Sequence, residues 1–586
     1  MVLADRDQNP KQANFAVSRY MSDTMQSNEV NAQSLRDPTP RWTGLGHWNF
    51  YFLIKLLLFW GGYLQFDVFY NLIFVAALLF PLGHGWLNKA RHIIAIPFGI
   101  ALLYRDSWYP PIDRLLAQPE VLDFSFWYLL ELLERFINWQ MVGAGFIALV
   151  VYLYVYQWLR LTTITVVVLA AIAMNQYVTL PAWITQPAIT TLAQAQRTMP
   201  QPQGGLPAGN NGAMPTVVPQ GPATAGKPTD DILNAYLSDF YQKESLRRVS
   251  FPQTTSGPPF DILVISICSL AWSDLAAVDM TLHPIFKDMD VIFDNFSSST
   301  SYSGPAVLRM LRANCGQTPH PELYRQGDAA CYLFQTLNTL GFKSEAALNH
   351  DGKFQGFLDE IRTNGNLPVP YIPTQMRPSL TGFDGSPIWD DYSTLNNWWQ
   401  KRVDDKTERV ALLYNTITLH DGNREARADG GGRTAPYRPR AEKLLDGIMQ
   451  FMREVEQSGR RAMLIFIPEH GAALKADKMQ IAGMREVPTF DLTHVPVGVK
   501  LIGTQDKAPA NPVHVTGPTS FLALSDLIAR VLQEDVFAQS RINWDALVQG
   551  LPLTEAINEN EGTIVMHYQN TPFIRLGGRN WIEYPR

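Results

Sequence analysis

Two architectures are predicted along this 586-residue chain: a multi-pass α-helical membrane domain over residues 48–180 and an α/β domain over residues 229–586. Three observations predict them. Residues 48–180 carry apolar, aromatic runs. A Pro/Gly/Ala-rich stretch follows, and beyond it short β-branched runs alternate with helical patterns. A chain this long exceeds one ordinary domain. Its net charge of −6, with no basic stripe, excludes a nucleic-acid partner.

In chain order, residues 1–47 are polar and lack the apolar core of a signal peptide, so they are expected to form a disordered cytoplasmic tail. Apolar runs follow at 48–64, 68–82, 90–104, 141–159 and 161–180. Several fall short of the roughly 20 residues a spanning helix needs, so Trp48, Tyr63 and Trp158 are expected to extend them into the interface. Lys89, Arg91 and His92 separate the second and third runs, and Arg160 separates the fourth and fifth. The 105–140 loop has an acidic excess instead. Basic short loops face the cytoplasm, so five crossings put the N-terminus inside and the C-terminal domain outside. Lys55 interrupts the first run and is expected to snorkel towards the cytoplasmic interface.

Residues 181–228 cannot bury enough apolar surface to order themselves and are expected to be a flexible tether. The α/β domain opens with a helical segment, "DDILNAYLSDFYQKESLRR". "FDILVISICS", "RAMLIFIPEHG" and "HVPVGVKLIG" read as buried strands, and 440–459 as a helix with a glycine stop. Strands alternating with helices predict a sheet covered on both faces, with its ligand site beyond the carboxyl ends of the strands. Cys315 and Cys331 bracket a short loop. A bridge between them would contribute roughly 3 kcal/mol and would suit an oxidising compartment, the alternative being two buried thiols. Cys268 is then left over.

Cys268 lies at the end of the first strand, and Glu469 and His470 directly follow the second. Thiolate, carboxylate and imidazole are zinc ligands, and three of them leave a fourth position open, as in a catalytic site. "SSSTSYSGPAVLRMLR" supplies an alcohol to activate. Gly304 and Pro305 suit a helix start, which would put Ser303 where backbone N–H groups favour a phosphate. The same serine could equally be a plain N-cap. No G-x-S-x-G elbow surrounds it, and "DGGGRTAPYRPR" does not end as a P-loop does.

Together these residues resemble the alkaline phosphatase superfamily, specifically its phosphoethanolamine transferases. "DNFSSSTSYSGPA", "LHDGN", "PEHGAALKADKMQ" and "VPVGVK", in that order, resemble its cellulose phosphoethanolamine transferase branch from enterobacterial cellulose-secretion systems. The resemblance runs from about residue 48 to the end, excluding the tether. It implies a periplasmic α/β domain of alkaline phosphatase/sulfatase type, anchored in the bacterial inner membrane. It implies that Ser303 is the nucleophile and occupies the fourth position of one zinc ion held by Cys268, Glu469 and His470. Tyr302, His420 and Arg485 would line the substrate site, Arg485 gripping a phosphate oxygen and His420 protonating the leaving alcohol; Asp421 is a weaker candidate. Lipid-modifying relatives carry an acidic residue where this chain has Cys268, and a further one after "HG", where it has Ala472. Both departures argue against a two-metal hydrolase site.

The function implied is transfer of phosphoethanolamine from phosphatidylethanolamine, a membrane lipid, to cellulose through a phosphoserine-type intermediate, beside an inner-membrane cellulose synthase complex. Three alternatives remain at this point: a transferase acting on lipid A, a phosphodiesterase using water, and a non-catalytic scaffold for the synthase.

Overall fold

The computed structural model describes residues 44–81, 86–107, 139–177, 227–426 and 432–585. The expected tail, most of the acidic loop and nearly all of the tether lie outside the described residues. The chain divides into two compact units, Met1–Trp108 with Gln140–Ala208, and Tyr109–Trp139 with Gly209–Arg586.

In the first unit each apolar run forms a helix: α1 (Trp48–Trp60), α2 (Val68–Leu79), α3 (Trp86–Asp106), α4 (Trp139–Val155) and α5 (Leu161–Tyr177). They hold 13, 12, 21, 17 and 17 residues. Among the described residues no helix is long and apolar enough to cross a membrane. The first run is cut short by the turn at Gly61–Gly62, and α3 is long enough but includes Lys89, Arg91, Arg105 and Asp106.

Lys55 does not snorkel. It is fully buried, with Nζ 2.8 Å from Asp106 Oδ2 and donating to Asn71 Oδ1 at 2.8 Å. Asn71 in turn donates to Asp106 at 2.7 Å. The apolar run hides a polar core because its counter-charge comes from the end of α3, a segment read as loop. A buried charge is tolerated only when paired in this way.

The second unit is built on seven strands: β1 (Asp261–Ile267), β2 (Val291–Ser297), β3 (Lys343–Leu348), β4 (Val410–Thr416), β5 (Ala462–Pro468), β6 (His494–Ile502) and β7 (Val513–Val515). Their order is β7-β2-β6-β5-β1-β4-β3. All run the same way except β6, which is antiparallel to both its neighbours. Its helices include α6 (Asp230–Ser245), α7 (Trp272–Ala277), α8 (Ser303–Leu311), α9 (Phe357–Thr363), α10 (Asp391–Asp404), α11 (Tyr437–Gln457) and α12 (Phe521–Gln533).

The alternation of side chains along β1 shows why the sheet is covered twice. Ile262 and Val264 enter one core with residues of α8 and α12, while Leu263, Ile265 and Ile267 enter a second with residues of α10 and α11. A four-stranded antiparallel sheet, β8 (Ile557–Asn560), β9 (Thr563–Tyr568), β10 (Thr571–Leu576) and β11 (Ile582–Glu583), packs against Leu233, Leu237 and Phe240 of α6. Cys315 and Cys331 are bridged, with Cα atoms 5.0 Å apart, and Cys268 is free and buried.

Candidate active site

Because β1, β2, β4 and β5 run the same way, their carboxyl ends open on one edge of the sheet. Cys268 follows β1, Ser303 follows β2 by a short loop, His420 follows β4, and Glu469 and His470 follow β5. Arg485 and Tyr302 come from the adjoining loops. Residues spread over more than 200 positions therefore meet at one place.

Ser303 is the first residue of α8, preceded by Tyr302 in extended conformation, and its hydroxyl does not cap the helix. It lies 3.3 Å from Cys268 Sγ and 3.2 Å from His470 Nε2. Cys268 Sγ is 3.7 Å from the same nitrogen. The turn after β1 that delivers Cys268 needs Ser269 at φ +65°, and Tyr437 holds that turn by donating to Ser269 O at 2.7 Å. A non-glycine residue in this region is strained, and such strain gathers at functional sites.

His470 donates from Nδ1 to the Gly471 carbonyl at 2.8 Å, which leaves the Nε2 lone pair facing Ser303 and Cys268. Burial, then Arg485, holds this imidazole far below its usual range, so it is neutral. Gly471 is required: a Cβ there would come within 2.9 Å of both Ala271 Cβ and Asp274 Oδ2. Glu469 Oε1 accepts from Ser266 at 2.8 Å and from Asn415, while Oε2 is buried and, among the described residues, makes no hydrogen bond of good geometry, the Ser303 hydroxyl being near the carboxylate. Burial pushes this carboxyl up to about 6, against its neighbouring hydroxyls and Asn415, and burial with the Glu469 charge also raises the Cys268 thiol.

The ligand atoms of Cys268, Glu469 and His470 all lie within 4.8 Å of one another, the one such cluster of three among the described residues. An orphaned carboxylate oxygen, an aimed imidazole nitrogen and a thiol are what a bound cation would satisfy, so the residues fit a metal.

The other residues form a second layer. Arg485 donates to Ser269 Oγ and to His420 Nε2, both at 3.2 Å, and its guanidinium lies 5.9 Å from the Tyr302 ring centre. Tyr302 donates to Glu486 at 2.8 Å. Arg485 thus lies at the strand-end site, beside Ser269, His420 and Tyr302. His420 donates from Nδ1 to Asp421 O at 2.8 Å, and Phe383 stacks on its ring at 4.7 Å. Burial and Arg485 bring its pKa down to about 3. Here His420 is neutral and accepts from Arg485, which it orients. Asp421 contributes its carbonyl to this arrangement.

Four residues that position the site went unread in the sequence. Ser266 and Asn415 interrupt the apolar strands β1 and β4 near their carboxyl ends, and polar residues there were an available signal. Asn560 of β8 donates to Ser301 Oγ at 2.7 Å and to the Arg485 carbonyl at 3.1 Å. Asp274, on α7, answers the missing acid after "HG". Its buried carboxylate accepts from the N–H groups of Ala472 at 2.7 Å, Leu474 at 3.3 Å and Ala271 at 2.9 Å. Both of its oxygens are engaged, so it clamps the loop behind His470.

A family model described as the cellulose biosynthesis protein BcsG C-terminal domain matches residues 218–581, and one for the BcsG N-terminal domain matches residues 48–174. The chain is 42% identical over 554 residues to the cellulose biosynthesis protein BcsG of Escherichia coli, covering 93% of this chain and 97% of that one. Among solved structures it is similar to a protein of the alkaline phosphatase superfamily from Vibrio parahaemolyticus, with TM-score 0.43 and 11% identity over 59% of this chain and 87% of that one. It is also similar to the soluble domain of lipooligosaccharide phosphoethanolamine transferase A from Neisseria meningitidis, with TM-score 0.35 and 12% identity over 52% of this chain and 98% of that one. The chain belongs to the family of the cellulose biosynthesis protein BcsG.

Proposed function

We propose that the chain is a phosphoethanolamine transferase that moves phosphoethanolamine from phosphatidylethanolamine to cellulose, with Ser303 carrying the group in between. The observation that carries this reading is the place of Ser303 Oγ, beside both Cys268 Sγ and His470 Nε2. An alcohol next to a potential metal ligand set, on the first turn of a helix, is arranged for attack on phosphorus. Membership of a cellulose biosynthesis family supports the acceptor.

Cys268, Glu469 and His470 would hold one zinc ion, which when bound supplies Lewis acidity and favours the serine alkoxide. The chain's own residues supply the rest. Pro305 has no N–H and Ala306 donates to Tyr302, so the Ser303 and Gly304 N–H groups are the open donors of α8 for a phosphate oxygen. Arg485, aimed by His420 and Ser269, offers a planar cation to another phosphate oxygen. The Ser303 Oγ–phosphorus bond forms as the bond to diacylglycerol breaks. Serine gives up a proton and the diacylglycerol oxygen takes one. A sugar hydroxyl of cellulose, most simply the primary one, then reverses the exchange and frees the serine.

In this reading the first unit spans the bacterial inner membrane beside the cellulose synthase complex, with the N-terminus in the cytoplasm. The catalytic unit faces the periplasm, where its Cys315–Cys331 bridge persists. The test is intact mass spectrometry of the full chain in detergent with zinc and phosphatidylethanolamine. A phosphoethanolamine adduct on Ser303, absent from Ser303→Ala, is expected. Donor breakdown with no adduct would instead mean direct hydrolysis and would overturn the proposal.

A further inference from the structure

One charged group beside the nucleophile has no part in the chemistry above. Glu360 lies on α9, which packs against α8. Its carboxylate sits against Gly304, the residue after Ser303: a Cβ there would come within 2.4 Å of Glu360 Oε2 and 3.3 Å of Oε1. The missing side chain of Gly304 is what lets the carboxylate approach the first turn of the helix. Among the described residues no lysine or arginine pairs with Glu360, and burial alone pushes its carboxyl up to about 7. Tyr324 is close enough for its hydroxyl to be raised, after burial, by the charge of Glu360. Tyr324 is also partly open to solvent.

A carboxylate half-removed from water without a cation is costly. Here it also stands beside the first turn of α8, next to the residue whose N–H is open to a phosphate oxygen, and two anions side by side repel. A ligand that brings its own cation removes both problems. In phosphoethanolamine the ammonium lies two methylenes from a phosphate oxygen, so a phosphate bound at Ser303 carries its positive charge a short distance along the helix start. Aromatic rings add to such a site by attracting cations.

We infer that Glu360, against the first turn of α8, forms the subsite that takes the ammonium of the transferred group. This rests on the phosphoethanolamine reading of the same site, and makes Glu360 a specificity-determining residue.

The test compares two chromogenic phosphodiester donors with the zinc-loaded full chain, the p-nitrophenyl diesters of ethanolamine and of ethylene glycol. They differ only in ammonium against hydroxyl. The wild type is expected to favour the ammonium donor in kcat/KM by about tenfold or more, the scale of one charge-assisted contact. Glu360→Gln is expected to bring that ratio close to one, mainly through KM, and Glu360→Asp to restore part of it. Because a ratio is read, a general loss of folded enzyme leaves it unmoved. Glu360→Gln with the wild-type ratio, whether or not both rates fall, would overturn the inference while leaving the transferase reading intact. A wild type that does not use the ammonium donor at all would overturn the transferase reading itself, and this inference with it.

Discussion

Ser303 Oγ and His470 Nε2 lie 3.2 Å apart, although one opens a helix after β2 and the other ends the turn after β5. The imidazole is oriented by its own chain, through Nδ1 and the Gly471 carbonyl, before any ligand arrives. In the proposed mechanism the two are neighbours with separate roles, Ser303 as nucleophile and His470 as metal ligand. Ser303→Ala is expected to lower transfer by about a thousandfold or more while retaining stoichiometric zinc. His470→Ala is expected to lose both. Metal analysis beside an activity assay distinguishes them, and loss of zinc from Ser303→Ala would contradict the separation.

Asp274 holds three backbone N–H groups with one carboxylate, two of them in the loop behind His470. Asp274→Asn replaces an acceptor by an amide donor in front of those groups. A cost of about 1–3 kcal/mol is expected, seen by denaturant unfolding. Zinc affinity should weaken in parallel, measured by competition with a chelator, although Asp274 touches no metal ligand atom. Unchanged zinc affinity would restrict Asp274 to general stability.

Asp391 supports the segment that leads to His420. It accepts from Thr418 at 2.5 Å, from Tyr414 at 2.8 Å and from Asn349 at 3.1 Å. Burial raises its pKa from 3.8 to about 6, against those hydroxyl hydrogen bonds. The folded state thus binds this proton more tightly than the unfolded chain. The resulting stability is complete below pH 3.8 and is lost as pH rises through about 6. The gap corresponds to about 3 kcal/mol. Asp391→Asn, which imitates the protonated acid, should flatten that part of the stability–pH curve in urea unfolding. A curve parallel to the wild type would rule out Asp391 as its source.

The Cys315–Cys331 bridge closes a loop behind α8. Its reduction, or replacement of both cysteines by serine, should cost about 3 kcal/mol and lower the melting temperature. The zinc content of the folded protein should not change, because Cys268 is the only cysteine in the ligand cluster. Equal zinc content across the two forms is the check.

Local signals carried much of this protein. The apolar runs marked where α1 to α5 form, and "FDILVISICS", "RAMLIFIPEHG" and "HVPVGVKLIG" marked β1, β5 and β6 to within three residues of their ends. Cys268 and Glu469-His470 were legible because ligand-type residues stood directly after strands. Ser303 was legible because Gly304 and Pro305 announce a helix start. Where the reading depended on partners far along the chain it fell short. Lys55 looked like an interfacial lysine because Asp106 and Asn71 are invisible from its own run. The loop at Ala472 is held by Asp274 of α7, which nothing near Ala472 in the sequence announces. That His420 meets Arg485 and is buried beside it was likewise not visible from its own stretch of sequence.

The division has a physical cause. Strand and helix patterns, turn residues and ligand chemistry are properties of neighbours in sequence, so the chain by itself determined the elements, their likeness to a transferase family and the residue types at the strand ends. Distance, burial and charge balance depend on groups brought together only by the parallel order of β2, β5, β1 and β4. Only the tertiary structure decided that, among the described residues, Glu469 keeps one oxygen unpartnered, that His470 presents Nε2, and that Glu360 reaches Gly304 with no lysine or arginine paired to it.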